Sequence, residues 1–176
     1  FAQLNLTAAT TVNLDGARVI GALVFGDTTP SHDWTLSTSN SSQLTLSNPN
    51  LTPSITVNSR TATISAVLAG TQGLTKEGAG TLVLSGNNSY TGNTVVNAGT
   101  LVANQTNGGF NNTAFRGEVI VNAGATFQVD NSPMGWGGGL TGYRINGGSI
   151  TGTGGFGGFG VVYTLIGGTI SNSARV

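Results

Sequence analysis

The sequence VVNAGTLVA at residues 95–103 returns as VIVNAGATFQV at residues 119–129. Each copy places an Asn-Ala-Gly corner between two short stretches in which apolar residues, many of them β-branched, alternate with other residues. Alternation with a period of two indicates a strand that buries one face. The repeat therefore predicts that the chain is built from a unit of strand, tight corner and strand.

Related corners recur along most of the chain. Downstream they are Asn146-Gly147-Gly148 and Ile166-Gly167-Gly168, and upstream the same position is taken by triplets centred on residues 80, 60, 42 and 16. The period is irregular and near 20 residues, which is too short for repeats of paired helices. We therefore predict an all-β protein folded as a single-stranded parallel β-helix of about eight coils, forming one domain over residues 1–176.

The alternation predicts which side chains line the interior. On one sheet these are Ile55, Val57, Val96, Val121, Ile145 and Leu165, and on the next they are Leu82, Leu84, Leu101, Ile150 and Ile170. A sandwich of antiparallel strands joined by hairpin turns is the alternative, and TNGGF at 106–110 is its main signal.

The corner residues have structural roles in this interpretation. Glycine permits the positive φ that a sharp corner requires, which we predict for Gly99, Gly124, Gly148 and Gly168. Asparagine tolerates left-handed backbone and can bond to the corner of the next coil. We therefore predict an asparagine ladder formed by Asn97, Asn122, Asn146 and Asn58.

The composition excludes several classes of function. Charged residues are 7% of the chain, with six basic and six acidic residues, so the basic surface that nucleic acids require is not available. The chain has no cysteine, hence neither disulfides nor thiolate metal sites. No apolar run approaches the roughly 20 residues that cross a bilayer as a helix.

Residues 73–103, GLTKEGAGTLVLSGNNSYTGNTVVNAGTLVA, are similar to one known family. They resemble the passenger-associated transport repeat of autotransporter passengers, with its Gly-Leu-Thr-Lys opening, internal Gly-Thr-Leu, Leu-Ser-Gly and Tyr-Thr-Gly, and closing Ala-Gly-Thr-Leu. The resemblance implies a right-handed β-helix in a secreted bacterial protein, exposed at the cell surface or released. It transfers no catalytic residue and no cofactor.

Candidate catalytic groups are few. His32 is the only histidine, and the carboxylates are Asp15, Asp27, Asp33, Glu77, Glu118 and Asp130. A glycosidase needs acids gathered at one bond, and Asp27, His32 and Asp33 are close enough in sequence to meet on a loop. The Gly-x-Gly-x-x-Gly match at 152–157 has no helix after it and predicts no nucleotide site. We predict no catalytic, metal or cofactor site.

The glycine-rich segment 133–168 carries the best candidate contact surface. Fifteen of its 36 residues are glycine, and we predict coils that bear loops there. Its aromatic residues Trp136, Tyr143, Phe156 and Phe159 either pack over the flank of the helix or, if exposed, contact sugars or a neighbouring chain.

Two functional hypotheses follow. The first is a non-enzymatic extracellular structural module, such as an adhesin stalk or a self-assembling fibre subunit, at the bacterial outer surface. The second is a carbohydrate-active or carbohydrate-binding β-helix. Neither terminal stretch carries the polar cap that isolated solenoids use. We therefore expect the terminal coils to pair head to tail with another copy or with further coils of a longer parent chain.

Overall fold

The structure is a computed structural model that describes residues 7–26, 32–104, 116–130, 140–155 and 160–172. Within those ranges every regular element is a strand. The strands are β1 (Thr10–Leu14), β2 (Arg18–Ile20), β3 (Ala22–Phe25), β4 (Trp34–Thr38), β5 (Gln43–Leu46), β6 (Ser54–Val57), β7 (Thr61–Ile64), β8 (Val67–Ala69), β9 (Leu74–Glu77), β10 (Thr81–Leu84), β11 (Thr94–Val96), β12 (Thr100–Asn104), β13 (Gly117–Asn122), β14 (Thr126–Asp130), β15 (Leu140–Asn146), β16 (Ser149–Gly152), β17 (Val162–Leu165) and β18 (Thr169–Asn172).

The strands form three parallel sheets in which each strand pairs with its counterpart one coil away. The first sheet has the order β1-β4-β7-β10-β12-β14-β16-β18, the second β17-β15-β13-β11-β9-β6-β3 and the third β2-β5-β8. The prediction of a parallel β-helix is therefore confirmed. From β3 to β17 the chain makes about six turns, slightly fewer than the eight coils predicted.

Columns of apolar side chains fill the interior. In the first sheet Leu82, Leu101, Phe127 and Ile150 lie in register and are fully buried. In the second sheet Val96, Val121 and Ile145 form an equivalent buried column. Burying an aliphatic side chain of this size stabilises a protein by about 1.5–3 kcal/mol, so the stacking of coils supplies the main stabilising free energy.

Two predicted interior residues are exposed. Leu165 retains 57% and Ile170 41% of its accessible surface, although their strands pair in register with β15 and β16. Both lie in the last coil, where the described chain places nothing over their second side. Their exposure therefore reflects their position at the end of the stack.

The outward face of the first sheet carries a column of hydroxyl residues. Thr61, Thr81, Thr100, Thr126 and Ser149 follow one another in register. Each directly follows a corner, where the chain passes from the second sheet to the first. The corners are thus held at fixed positions along the rod.

Candidate functional site

The predicted asparagine ladder is present at three consecutive corners. Asn122 Nδ2 donates a 2.7 Å hydrogen bond to Asn97 Oδ1, and Asn146 Nδ2 donates a 3.1 Å bond to Asn122 Oδ1. All three side chains are half-buried. Every bond has the same direction, because each amide donates to the residue one coil nearer the amino terminus.

The ladder begins at a carboxylate that sequence reasoning did not place in it. Asn97 Nδ2 donates to Glu77 Oε1 at 2.6 Å, and the pairing of Lys76 with Val96 puts Glu77 in the position of Asn97 one coil earlier. The inclusion of Asn58 is wrong: Thr56 is the residue that pairs with Glu77, so Asn58 lies beyond the column and is exposed.

The corner glycines divide into two kinds. Gly99, Gly124 and Gly168 have φ values of 63°, 78° and 91°, in the left-handed region that glycine adopts without strain. The prediction for Gly148 is wrong, because the positive φ of that corner, 78°, belongs to Gly147. Gly148 is instead required by close packing: a Cβ there would lie 2.6 Å from the carbonyl oxygen of Asn122.

Lys76 is a charged side chain inside the aliphatic column of the second sheet. It pairs with Ile55 on one side and Val96 on the other, and it is fully buried. Its Nζ donates to three backbone carbonyls: Glu77 O at 2.8 Å, Gly78 O at 2.7 Å and Ala98 O at 3.0 Å. An ammonium has three N–H donors and no acceptor, so this geometry satisfies the charged form completely.

Burial lowers the pKa of Lys76 to about 8, while the neighbouring carboxylate of Glu77 acts in the opposite direction. Desolvation penalises the ammonium relative to the neutral amine. The group therefore changes protonation closer to neutral pH than an exposed lysine. Sequence reasoning missed Lys76, although the alternation of Leu74-Thr75-Lys76-Glu77 places Leu74 and Lys76 on the same inward face of the strand.

The candidate catalytic carboxylates that the structure describes have roles in the fold. Asp33 Oδ1 accepts a 3.0 Å hydrogen bond from the backbone N–H of Thr61, and Glu118 forms a 3.1 Å ion pair with Arg144. Asp15 pairs with Arg18, and Asp130 accepts from the amide of Gln128. His32 adjoins Asp33, whereas Asp27 lies outside the described residues.

Among the described residues, no group of three or more histidine, cysteine or acidic side chains is arranged to hold a metal ion. Within these ranges there is also no helix with the length and apolar character needed to cross a bilayer.

Of the four residues of the predicted aromatic contact surface, the structure describes Tyr143. Tyr143 is fully buried, and its ring lies 6.4 Å from that of Phe127 and stacks on that of Tyr163 at 5.4 Å. It alternates inward with Ile145 on β15, so it is a core residue and is not available to an exposed contact surface. Burial raises the pKa of Tyr143 well above the ordinary range of tyrosine. Trp136, Phe156 and Phe159 lie outside the described residues.

An open depression of about 410 Å³ lies beside the loop between β5 and β6. It is lined by Asn48, Pro49, Asn50, Leu51, Thr52, Gln72 and Gly73. The Gln72 amide is bonded to the backbone N–H and carbonyl of Asn48 at 2.6 and 2.8 Å, which holds the loop in place. Leu51 is exposed by 71%. The depression is uncharged.

Comparison with known proteins agrees with this architecture. Residues 74–103 match the family model described as passenger-associated-transport-repeat. The chain is 44% identical over 96 residues to "Adhesin BmaC autotransporter" of Brucella suis biovar 1 (strain 1330). That alignment covers 54% of this chain and 2% of the relative, so the match concerns a small part of a much longer protein. No solved structure matches the chain.

The family match and the structure concern the same residues. Lys76, Glu77, Asn97 and Gly99 all lie within the matched segment, which runs from the start of β9 to the last residue but one of β12. The chain thus contains a passenger-associated transport repeat that is built into a parallel β-helix. In this protein the repeat carries the buried ammonium and the first two side chains of the ladder.

Proposed function

We propose that the chain is a non-enzymatic structural segment of a bacterial surface adhesin, in which stacked coils form part of a stalk. The observation that carries the proposal is the engagement, in the fold, of the acidic side chains that the structure describes. Asp33 bonds to the backbone of the next coil, Glu77 begins the ladder and Glu118 pairs with Arg144. A hydrolase of the glycosidase type needs carboxyl groups available to substrate.

The similarity to an adhesin supports the same function and an extracellular location. The relative is named as an autotransporter adhesin, and the matched repeat is named for passenger transport. We place this chain at the bacterial cell surface or in the released passenger. Because the chain spans 2% of that relative, the adhesive contact is assigned to the parent protein and the spacing role to this segment.

The partner we propose for the last coil is a further β-coil of the same parent chain. Leu165, Ile166 and Ile170 expose apolar surface at that end of the rod, and Leu165 and Ile170 continue the interior columns. Another coil would bury these side chains in the same way that β16 covers the inward side chains of β14. A second copy of the chain, stacked head to tail, is the competing occupant. Light scattering of the purified chain against concentration distinguishes them, because only self-association makes the mass increase.

The experiment that tests the stalk function uses purified chain as a competitor. Host cells are incubated with bacteria that display the parent adhesin, with and without an excess of residues 1–176. A stalk segment leaves adhesion unchanged, whereas a receptor-binding segment inhibits it. Antibody against the chain should label intact bacteria. Inhibition of adhesion, or release of reducing sugars from a panel of polysaccharides, would contradict the proposal.

A second candidate function, glycan binding, is favoured by the depression near Leu51. Its lining combines an exposed aliphatic side chain with the neutral polar residues Asn50 and Thr52. Sugar hydroxyls are bound by such neutral hydrogen-bonding groups beside apolar surface. Binding to a glycan array that is lost in the Asn50→Ala variant would support this function.

A further inference from the structure

The corners around Lys76 differ in length. Thr56 pairs with Glu77 in the second sheet, and Thr61 pairs with Thr81 in the first sheet. The corner from Thr56 to Thr61 therefore contains four residues, 57–60. The equivalent corner one coil later, from Glu77 to Thr81, contains three, 78–80. One coil further on only Ala98 and Gly99 connect Asn97 to Thr100. Lys76 therefore lies where successive corners shorten from four residues to three and then to two.

Changes in corner length make the register ambiguous. A shift of one residue would turn every side chain of a strand to the wrong face, and the apolar pattern prevents it. A shift of two residues keeps the inward residues inward, because the side-chain period is two. Thr94 would then replace Val96 opposite Lys76, and Thr94 is itself an inward, fully buried residue in the native register. Burial alone therefore discriminates weakly against this slip.

The hydrogen bonds of the Lys76 ammonium disfavour the two-residue slip. Two of its acceptors, Glu77 O and Gly78 O, belong to its own corner, and the third, Ala98 O, belongs to the corner of the next coil. A two-residue slip of β11 along β9 displaces Ala98 by about 6.6 Å, twice the rise of a strand residue. Nζ would then lose its bond to Ala98 O, and an ammonium N–H left without an acceptor is unfavourable in a closed apolar interior.

We propose that Lys76 is a register lock, a buried cation whose three carbonyl acceptors can be reached together only when β9 and β11 pair in the native alignment. A buried polar group is rarely the most stabilising choice at a core position, but it can specify one arrangement among several. The lock acts during folding of the stack and concerns the coils themselves, so it goes beyond the proposed stalk function and holds whatever the parent protein binds.

Cross-linking of introduced cysteines tests the lock, because the chain has no cysteine of its own. Thr75 pairs with Val95 on the outward face, so the double variant Thr75→Cys, Val95→Cys reports the native register. The double variant Thr75→Cys, Asn93→Cys reports the two-residue slip, since these Cα atoms are too far apart for a disulfide in the native register. Each protein is refolded from denaturant and oxidised, and the disulfide is quantified by mass spectrometry.

With Lys76 present we expect the native pair to cross-link and the slipped pair to remain reduced. In Lys76→Met we expect the ratio of slipped to native disulfide to rise at least about tenfold, equivalent to losing about 1.4 kcal/mol of register preference. Ile55→Met is the matched control, because it places methionine at the paired position of the same column and keeps the ammonium. Its ratio should equal that of the parent.

An unchanged ratio in Lys76→Met overturns the proposal. If this variant does not fold, judged by circular dichroism, the ratio is measured in Lys76→Gln. The glutamine amide keeps two N–H donors without the charge, and so tests whether the third bond to the next corner determines the register. A raised ratio in Lys76→Gln supports the lock, and an unchanged ratio overturns it.

Discussion

Asn122 donates its side-chain amide to Asn97, 25 residues earlier in the chain, and in turn accepts the amide of Asn146, 24 residues later. Its side chain therefore joins three successive corners through one donor and one acceptor. Asn97 in turn donates its side-chain amide to Glu77, so the three hydrogen bonds form one continuous series. Removal of the middle residue breaks two bonds and leaves half-buried polar groups on both neighbours.

The first prediction concerns this middle rung. Asn122→Ala should lower the free energy of unfolding by about 2–3 kcal/mol, because two hydrogen bonds are lost and their former partners are left without them. The midpoint and slope of urea unfolding measure the effect. Asn50→Ala, an exposed asparagine in the loop near Leu51, is the control and should change stability by less than about 0.5 kcal/mol. Equal effects would contradict a stabilising role for the ladder.

The second prediction separates the two requirements for glycine at the corners. Gly99 has a positive φ, and a Cβ there would lie 2.4 Å from the carbonyl oxygen of Gly80. Gly124 has a positive φ with nothing within 4 Å of its Cβ position. Gly99→Val should therefore cost more than about 3 kcal/mol, and Gly124→Val only the backbone strain of about 1–2 kcal/mol. Thermal unfolding compares the two, and a Gly99→Val protein as stable as Gly124→Val would show that the corner relaxes freely.

The third prediction is a pH dependence due to Lys76. Its pKa is about 8 in the folded protein, against 10.5 as the ordinary value. Between these values the unfolded state binds more protons than the folded state, so stability should rise with pH, by at most about 1.4 kcal/mol per unit. Urea unfolding between pH 7 and about pH 9.5 measures the slope, below the ionisation of unfolded tyrosine. The slope should disappear in Lys76→Met. A flat profile in the parent protein would mean that the three carbonyls offset the desolvation.

The fourth prediction concerns His32 and Asp33. Replacing both with alanine should leave adhesion by the parent protein intact, since neither is assigned a catalytic role. The structure adds a stability effect, because Asp33 Oδ1 accepts from Thr61 N. Asp33→Ala should lower the unfolding free energy by about 1 kcal/mol, whereas Asp33→Asn retains an acceptor oxygen and should lose less. Loss of polysaccharide turnover in the double alanine variant would instead reveal catalysis.

The sequence predicted the regular part of the fold because stacking repeats the same requirement at every coil. Inward positions such as Val96 and Val121 must be apolar, and corners such as the one at Gly99 must turn sharply, so both leave a periodic trace. The ladder from Asn97 to Asn146 was predicted for the same reason. Sequence reasoning was less successful where one coil differs from the next.

The errors have local physical causes. Lys76 and Glu77 occupy positions where the next three coils have an aliphatic residue and asparagine, so the repeat pattern did not reveal them. Two adjacent glycines at 147 and 148 gave no basis for deciding which adopts positive φ. Tyr143 was grouped with aromatic residues of a glycine-rich segment, although its alternation with Ile145 on β15 places it in the interior. The exposure of Leu165 depends on what lies beyond its coil.

The fixed register of the first sheet makes the length of the rod adjustable in discrete steps. Thr100 and Ser149 both pair with Thr126, from opposite sides. The coil before Thr126 and the coil after it therefore present equivalent strand edges. Excision of residues 126–148 would bring Ser149 to Thr100 with every inward and outward position preserved. Gain or loss of a whole repeat changes reach by about 4.8 Å, the spacing between strands. Single-residue insertions are confined to the loops, because within a strand they would turn every following side chain to the opposite face.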